Sequence, residues 1–305
     1  MNKKLVFIIN PAAKNGYSQK VWNKIRRIVD GVPHDVYYTK EKGDGVALAK
    51  RIATNTNLPL LLVAVGGDGT IHEVINGAIG HSHVTFAYIP TGSGNDFAKG
   101  YKLPAHPAKC LEAILHLIPN KVEHVDSGVI SGKTPRYFVN SVGVGFDALI
   151  AKKANQSRLK KWLNYFSLGT AVYGVYLVRE IFSYKPQTVK LQIDDQRFQF
   201  EKTWFVTVSN QPYYGGGMMI APSANPTDGE FCVTVVHHLS KMKLLCVFIT
   251  VFWGGHLRFK EVIQFKGKNI QIFNDRPVDV HADGESIGEI PLTIEILPKS
   301  WKILQ

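Results

Sequence analysis

Apolar and polar positions divide the chain into two parts with different periods. In the first, residues 5–9, 36–39, 60–65 and 84–89 form short apolar-rich runs. Such runs are expected of strands covered by helices on both faces. Between them Val21, Trp22, Ile25, Ile28 and Val29 recur at helical spacing, and 46–53, 71–78 and 108–117 read as further helices. This βα alternation predicts a three-layer α/β domain with a parallel sheet. From about residue 122 the pattern changes to short β-rich segments with turns between them: 137–142, 188–193, 198–200, 204–208, 231–236, 262–265, 270–273, 278–282 and 292–296. They predict a mainly antiparallel β-sandwich, interrupted by helical inserts at roughly 148–182 and 241–252. Two domains, 1–125 and 126–297, fit both the break in pattern and the 305-residue length.

The loops that close the first-domain strands carry the candidate chemistry. After 60–65 come Gly66, Gly67, Asp68, Gly69 and Thr70, then Ile71 and His72 as a helix begins. Glycines let backbone approach a ligand closely, and a helix start presents free N–H groups that suit phosphate. A carboxylate in such a turn repels phosphate unless a cation lies between them, so Asp68 points to Mg²⁺. After 84–89 a similar turn reads Pro90, Thr91, Gly92, Ser93, Gly94, Asn95, Asp96, and the first strand runs into Asn10, Pro11, Ala12, Ala13, Lys14, Asn15, Gly16. Three such loops suggest one crevice at the carboxyl edge of a parallel sheet. The spacing fits neither a G-x-G-x-x-G dinucleotide fingerprint nor a G-x-x-x-x-G-K-[ST] loop.

Together with a late Asp283-Gly284-Glu285, these segments resemble the diacylglycerol kinase catalytic-domain family, which includes bacterial lipid kinases, sphingosine kinases and ceramide kinases. The resemblance spans the whole chain and implies an NAD-kinase- or phosphofructokinase-like first domain. It also implies a tail, 298–305, that packs back on that domain. The implied activity is transfer of the γ-phosphate of ATP, with Mg²⁺, to a lipid hydroxyl, diacylglycerol by default, giving phosphatidate. The cradle implied for the nucleotide is Asn10, Pro11, Ala12, Ala13, Lys14, Thr39, residues 66–72, Thr91, Gly92, Asn95 and Asp96. Asp68 and Asp96 are the implied Mg²⁺–nucleotide carboxylates, although Asp96 also suits a helix N-cap. His72 stands where bacterial members often have Asn and sphingosine-kinase-like members have His.

The base is implied in Asp283 or Glu285, with the choice between them open; Asp-Gly is also a common hairpin pair. Asn225, Asp228 and Glu230 are the implied structural Mg²⁺ site, through the Asn225 and Glu230 carbonyls and the Asp228 side chain. Oxygen ligands on a tight turn suit a hard cation, and an Asx-type turn is the plainer alternative. Asp126, Asn140 and Asp147 recur in such kinases, the last two better suited to turn or cap roles. Tyr213, Tyr214, Gly215, Gly216, Gly217, Met218 and Met219 form an adaptable apolar stretch near the lipid site.

Bulk composition narrows the partners. Hydrophobic content of 45% and charged content of 20% fit a globular protein. Cys110, Cys232 and Cys246 show no metal spacing and read as buried thiols in a reducing compartment. The net charge is +12, yet its basic residues are dispersed and no nucleic-acid module stands out. One dense patch, Lys152, Lys153, Arg158, Lys160 and Lys161 before Trp162, Tyr165 and Phe166, suits a membrane interface. Residues 244–253 are too few to span a bilayer. A cytoplasmic enzyme that meets its lipid at a membrane surface is the expectation; no protein partner is readable, and a homodimer stays open. The competing readings are a kinase of a soluble acceptor, or a nucleotide-binding membrane regulator with a dead site. The Asn225–Glu230 segment and the intact carboxylates Asp68, Asp96, Asp283 and Glu285 speak against them.

Overall fold

The structure, a computed structural model, describes residues 3–117, 122–132, 135–156 and 171–304. It divides into one unit of residues 1–125 with 299–305, and a second of residues 126–298.

In the first unit, β1 (Lys4–Ile9), α1 (Ala13–Ile25), β2 (His34–Tyr38), α2 (Asp44–Thr54), β3 (Leu60–Gly66), α3 (Asp68–Ala78), β4 (Val84–Pro90), α4 (Asp96–Gly100) and α5 (Pro107–Leu117) follow in order. The sheet is parallel, β2–β1–β3–β4, and Ile303 pairs in parallel with Phe86 at its far side. All seven residues of β3 and all seven of β4 are buried, which is why both lack a polar face. Phe7, Ile9, Val63, Val65 and Ile89 share one core with Trp22 of α1 and Leu111 of α5. Alternate residues turn to the other face, where α2 and α3 lie. Trp301 from the tail packs on Phe86, Phe97 and Tyr101.

The second unit is antiparallel. β5 (Val122–Ile130) leads in and pairs with β6 (Arg136–Phe138). Then come β7 (Ser141–Gly145), α6 (Phe146–Gln156), α7 (Ala171–Glu180), β8 (Gln187–Ile193), β9 (Gln196–Ser209) and a small hairpin, β10 (Tyr213–Tyr214) with β11 (Met218–Met219). They are followed by β12 (Phe231–His237), α8 (Lys241–Thr250), β13 (Val262–Gly267), β14 (Asn269–Phe273), β15 (Asp279–Ala282), β16 (Glu285–Glu289) and β17 (Leu292–Leu304). The 14-residue β9 organises the sandwich: its first half pairs with β8, its second with β7 on one side and β12 on the other. The core includes Phe138, Val142, Val144, Leu191, Val206, Val208, Phe231, Val233 and Ile294. A satellite cluster joins α6, α7 and α8 through Phe146, Ile150, Leu177, Ile181, Leu244 and Val247 around Trp204.

Three sequence expectations change. The strand expected over 137–142 is two strands with a bend at Val139 and Asn140, because that bend donates its N–H groups to a side chain described below. β5 was not expected, since its buried middle carries Asp126 and Ser127. Cys246 is exposed, unlike Cys110 and Cys232, because it lies on the outward stripe of α8. Of the basic–aromatic patch, Lys152 and Lys153 lie on α6, and Arg158, Lys160, Lys161, Trp162, Tyr165 and Phe166 lie outside the described residues. No described helix is long and apolar enough to cross a membrane.

Candidate active site

Strand register brings the first-domain loops together. Ile9 pairs with Val65, and Val65 with Ile89, so the loops after β1, β3 and β4 leave the same edge of the sheet. The Asn10 N–H donates to the Val65 carbonyl at 2.9 Å and the Thr39 N–H to the Ile9 carbonyl at 2.9 Å. The loops are then stitched by their own polar groups. Asn10 Nδ2 donates to Thr70 Oγ1 at 3.2 Å, and Asn10 Oδ1 accepts from the Ala12 N–H at 3.1 Å. The Thr91 N–H and the Tyr88 hydroxyl both donate to the Gly66 carbonyl, at 2.7 and 3.0 Å. Asn95 Oδ1 accepts from the Gly92 N–H at 3.0 Å. Asp68 Oδ1 accepts from the Phe97 N–H at 3.0 Å, tying the first glycine turn to the helix that follows the second.

Glycine is required where the turns meet. A methyl at Gly92 would lie 2.6 Å from the Gly67 Cα, closer than real contacts allow. In the first turn of α1, Lys14 and Asn15 hold φ of 49° and 53°, the left-handed region that side chains with a Cβ occupy at a cost, as happens at ligand clamps. Pro11, Ala12 and Ala13 form the turn before them, with the Ala13 N–H donating to the Asn10 carbonyl at 3.3 Å. Ile71 and His72 face inward: both side chains are buried, and the His72 ring meets Phe97 edge-on at 6.4 Å. The Ile71 N–H is already used, donating to Gly67 O within the helix start.

The charge pattern suits a metal–phosphate ligand. Asp96 is buried, with Lys99 Nζ 3.6 Å away. Burial pushes the Tyr88 phenol well above its ordinary range, and the neighbouring Asp68 and Asp96 carboxylates push it further. Thr91 Oγ1 is buried with no hydrogen-bond partner among the described residues. Carboxylate oxygens are hard ligands for Mg²⁺, and a spare hydroxyl beside glycine N–H groups suits phosphate oxygens.

The second unit presents its own carboxylates. Asp283 and Gly284 form the two-residue turn between β15 and β16, with φ of 49° and 81°. The Asp283 carboxylate also accepts three backbone N–H groups from the bend before β7: Val139 at 2.9 Å, Asn140 at 2.9 Å and Ser141 at 3.0 Å. The turn residue is thus also a staple between strands more than a hundred residues apart. Glu285 is half-buried and pairs with Arg136 at 3.0 Å. Beside them His281 Nε2 lies 3.3 Å from Asp147 Oδ2, both side chains buried, and Tyr214 stacks parallel to His281 at 6.3 Å. Gly143 makes room for this pair, for a methyl there would collide with both. Asp147 Oδ1 accepts from the Ala148 N–H at the start of α6, a cap-type contact.

The 225–230 loop is an Asx turn: Asn225 Oδ1 accepts from the Thr227 N–H at 3.2 Å, and Asp228 Oδ1 from the Glu230 N–H at 3.2 Å. Asp126 joins it, Oδ2 accepting from the Gly229 N–H at 2.8 Å. Lys266 Nζ lies 2.9 Å from Asp228 Oδ2 and 3.6 Å from Glu230 Oε2. The Asp228 carboxylate and its neighbour hold the Lys266 ammonium above its usual range. The expected metal loop therefore carries a cation of its own, and no described group of three or more His, Cys, Asp or Glu side chains is placed to hold a metal ion. In the expected set Asp228 alone offers its side chain, and that carboxylate is the one paired with Lys266.

Arg136, His281 and Lys266 carried no sequence signal. Each gains its meaning from a partner 149, 134 or 38 residues away in the chain.

Comparison with known proteins agrees with the geometry. The diacylglycerol kinase catalytic domain family matches residues 4–130, and the YegS C-terminal NAD kinase beta sandwich-like domain matches residues 140–305. The chain is 33% identical to the "Putative lipid kinase YtlR" of Bacillus subtilis, over 97% of this chain and 98% of that one. The chain belongs to the diacylglycerol kinase family. It is 27% identical to a diacylglycerol kinase of Mycobacterium tuberculosis, over 91% of this chain and 84% of that one. Its fold is shared by a solved structure from Bacillus anthracis described as a "putative diacylglycerol kinase", with a TM-score of 0.81 at 24% identity, covering 99% of this chain and 97% of that one. The protein is accordingly a lipid kinase of this family, with the family's α/β domain and β-sandwich domain.

Proposed function

We propose that this kinase transfers the γ-phosphate of ATP to the hydroxyl of a membrane lipid, diacylglycerol in the first instance, giving phosphatidate. The observation that carries the reading is the Asp68–Phe97 hydrogen bond, which holds two glycine turns and two carboxylates at one sheet edge. Phosphoryl transfer needs cradled phosphates, offset charge and a positioned hydroxyl. The N–H groups of the 66–70 and 90–96 turns, Asn10 and Thr91 supply neutral donors for phosphate oxygens. Asp68 and Asp96 would hold Mg²⁺, which offsets phosphate charge when bound. Glu285 is the stronger candidate to orient the acceptor hydroxyl and take its proton, since Asp283 already spends its oxygens on three N–H groups. The relatives' names supply the choice of diacylglycerol.

The test is transfer of labelled phosphate from ATP to a panel of lipids in mixed micelles, with and without Mg²⁺, wild type beside Glu285→Gln. Labelled phosphatidate that needs Mg²⁺ and Glu285 is the expected result. Label on a sphingoid base or on a soluble acceptor would replace diacylglycerol, and binding of ATP without any transfer would replace the kinase reading with a regulator.

A further inference from the structure

Residues 241–260 contain four cationic side chains and no Asp or Glu. α8 within them is apolar on both sides. Leu244 and Val247 are buried in the cluster shared with α6 and α7, and Val251 is buried in a neighbouring cluster with Met218 and Ile220. The opposite stripe is equally apolar but faces outward: Ile249 is 61%, Phe252 49%, Trp253 62% and Leu257 36% exposed. A helix that is apolar all round belongs in a core or at a membrane, and contiguous exposed apolar surface marks an interaction site. α7 adds a second outward stripe, with Val175, Val178 and Phe182 all exposed. The two helices share one core cluster, and Lys241 donates to the Phe182 carbonyl between them. Arg258 and Lys260 are exposed at the far end of the stripe, and Arg179 is exposed on α7.

We propose that this face of α8 and the turn Val251–Trp253 is the surface by which the kinase docks on an anionic phospholipid bilayer. The inference rests on the lipid-kinase reading and names its physical partner. Three features select a bilayer over other occupants. Aromatic and aliphatic side chains are rimmed by cations, which matches acyl chains beneath anionic headgroups. Trp253 is the most exposed residue of the stripe, and Trp is the residue type that settles at headgroup level. And the face continues into the acceptor region of the same unit: a side chain at Gly254 would meet Met219 of the β10–β11 hairpin and Pro222 just beyond it, and Tyr214 of that hairpin stacks on His281 beside the Asp283 turn. A lipid entering from that surface meets the Glu285 segment without leaving the second unit.

The test is co-sedimentation of the full chain with vesicles of phosphatidylcholine alone or mixed with phosphatidylglycerol, at low and high salt. Wild type is compared with the double variant Phe252→Ser, Trp253→Ser and with Arg258→Glu, Lys260→Glu. The expected result is at least about a tenfold loss of vesicle affinity for the aromatic pair. The charge pair should lose affinity on the anionic vesicles only, together with most of the salt dependence. Both variants change exposed side chains, and unchanged turnover of a dispersed short-chain diacylglycerol would show that the site is intact. Wild-type vesicle binding by the aromatic pair overturns the proposal. So does a fall in its mass by light scattering with vesicle binding unaltered, which would assign the face to a second copy. Failure of the wild type to phosphorylate any lipid would sink the kinase reading and leave the vesicle result to stand by itself.

Discussion

Asp68 and Phe97 are joined by a hydrogen bond of 3.0 Å from the Phe97 N–H to Asp68 Oδ1, so one carboxylate both carries charge and fixes the second glycine turn. These two duties separate by substitution. Asp68→Asn keeps an oxygen for the Phe97 N–H and loses the charge; Asp68→Ala loses both. Asp68→Asn is expected to melt close to wild type while its turnover falls by about a hundredfold or more, the scale of one preorganised electrostatic group. Asp68→Ala should lose a further ~1–3 kcal/mol of stability for the unpaired N–H. Thermal melts and lipid phosphorylation on the three proteins check this; equal stability loss in both variants would deny the hydrogen bond its role.

Asp283 and Glu285 are two residues apart and differ in kind. Asp283→Ala strands three buried N–H groups and is expected to cost about 2–4 kcal/mol, lowering activity through the fold. Glu285 pairs with a partly exposed Arg136, and such pairs are worth about 0–1 kcal/mol. Glu285→Gln should therefore fold normally and lose about 10²–10⁴ in turnover if it handles the acceptor's proton. Urea unfolding beside kcat separates the two; a fully active Glu285→Gln returns the role to Asp283.

The sequence was most legible where one period governed a segment. β3 and β4 are buried on both faces, so their uninterrupted apolar runs named them as strands, and the glycine turns that end them marked the edge where the cradle lies. Legibility failed where tertiary contacts replaced periodicity. β5 hides its strand pattern behind buried Asp126 and Ser127, which are stable there because Asp126 accepts from the Gly229 N–H. The bend at Val139 and Asn140 exists because Asp283 claims its N–H groups, a contact spanning more than 140 positions. Lys266, 36 residues beyond Glu230, could not announce that it would pair with Asp228.

Gly92 approaches Gly67 backbone to backbone, and a methyl there would lie 2.6 Å from the Gly67 Cα. Gly92→Ala is expected to part the two turns, weakening ATP binding by about tenfold or more with a stability loss of only ~1–3 kcal/mol. Isothermal titration with ATP and Mg²⁺ checks it. Unchanged affinity would place the phosphates away from this junction.

Glu180 on α7 is nearly buried and its Oε2 lies 2.5 Å from Lys153 Nζ on α6. The lysine hydrogen bond holds the Glu180 carboxyl below its ordinary value of 4.5. A carboxyl lowered on folding stabilises the native state above its unfolded pKa and loses that contribution as pH falls through the folded one. Wild type should therefore lose melting temperature as pH drops below about 4.5. Lys153→Met should melt lower than wild type at neutral pH and converge towards it in acid. Parallel melting curves across that window would show that the pair does not couple the helices.

Lys266 bridges Asp228 and Glu230 where the family resemblance led to a metal. Removing the ammonium should restore the demand for one. Lys266→Met leaves two carboxylates facing each other without a counterion, and millimolar Mg²⁺ or Ca²⁺ is expected to raise its melting temperature. A ligand at a hundred times its Kd stabilises by about 2.7 kcal/mol, a shift readily seen by calorimetry. Because the Asp68–Asp96 cradle could also answer to Mg²⁺, the comparison includes Asp228→Asn in both backgrounds: only the rise that Asp228→Asn abolishes belongs to this loop. Wild type should show no such Asp228-dependent rise. If it does, the loop binds a metal despite its lysine, and the ammonium is a neighbour of the ion rather than its replacement.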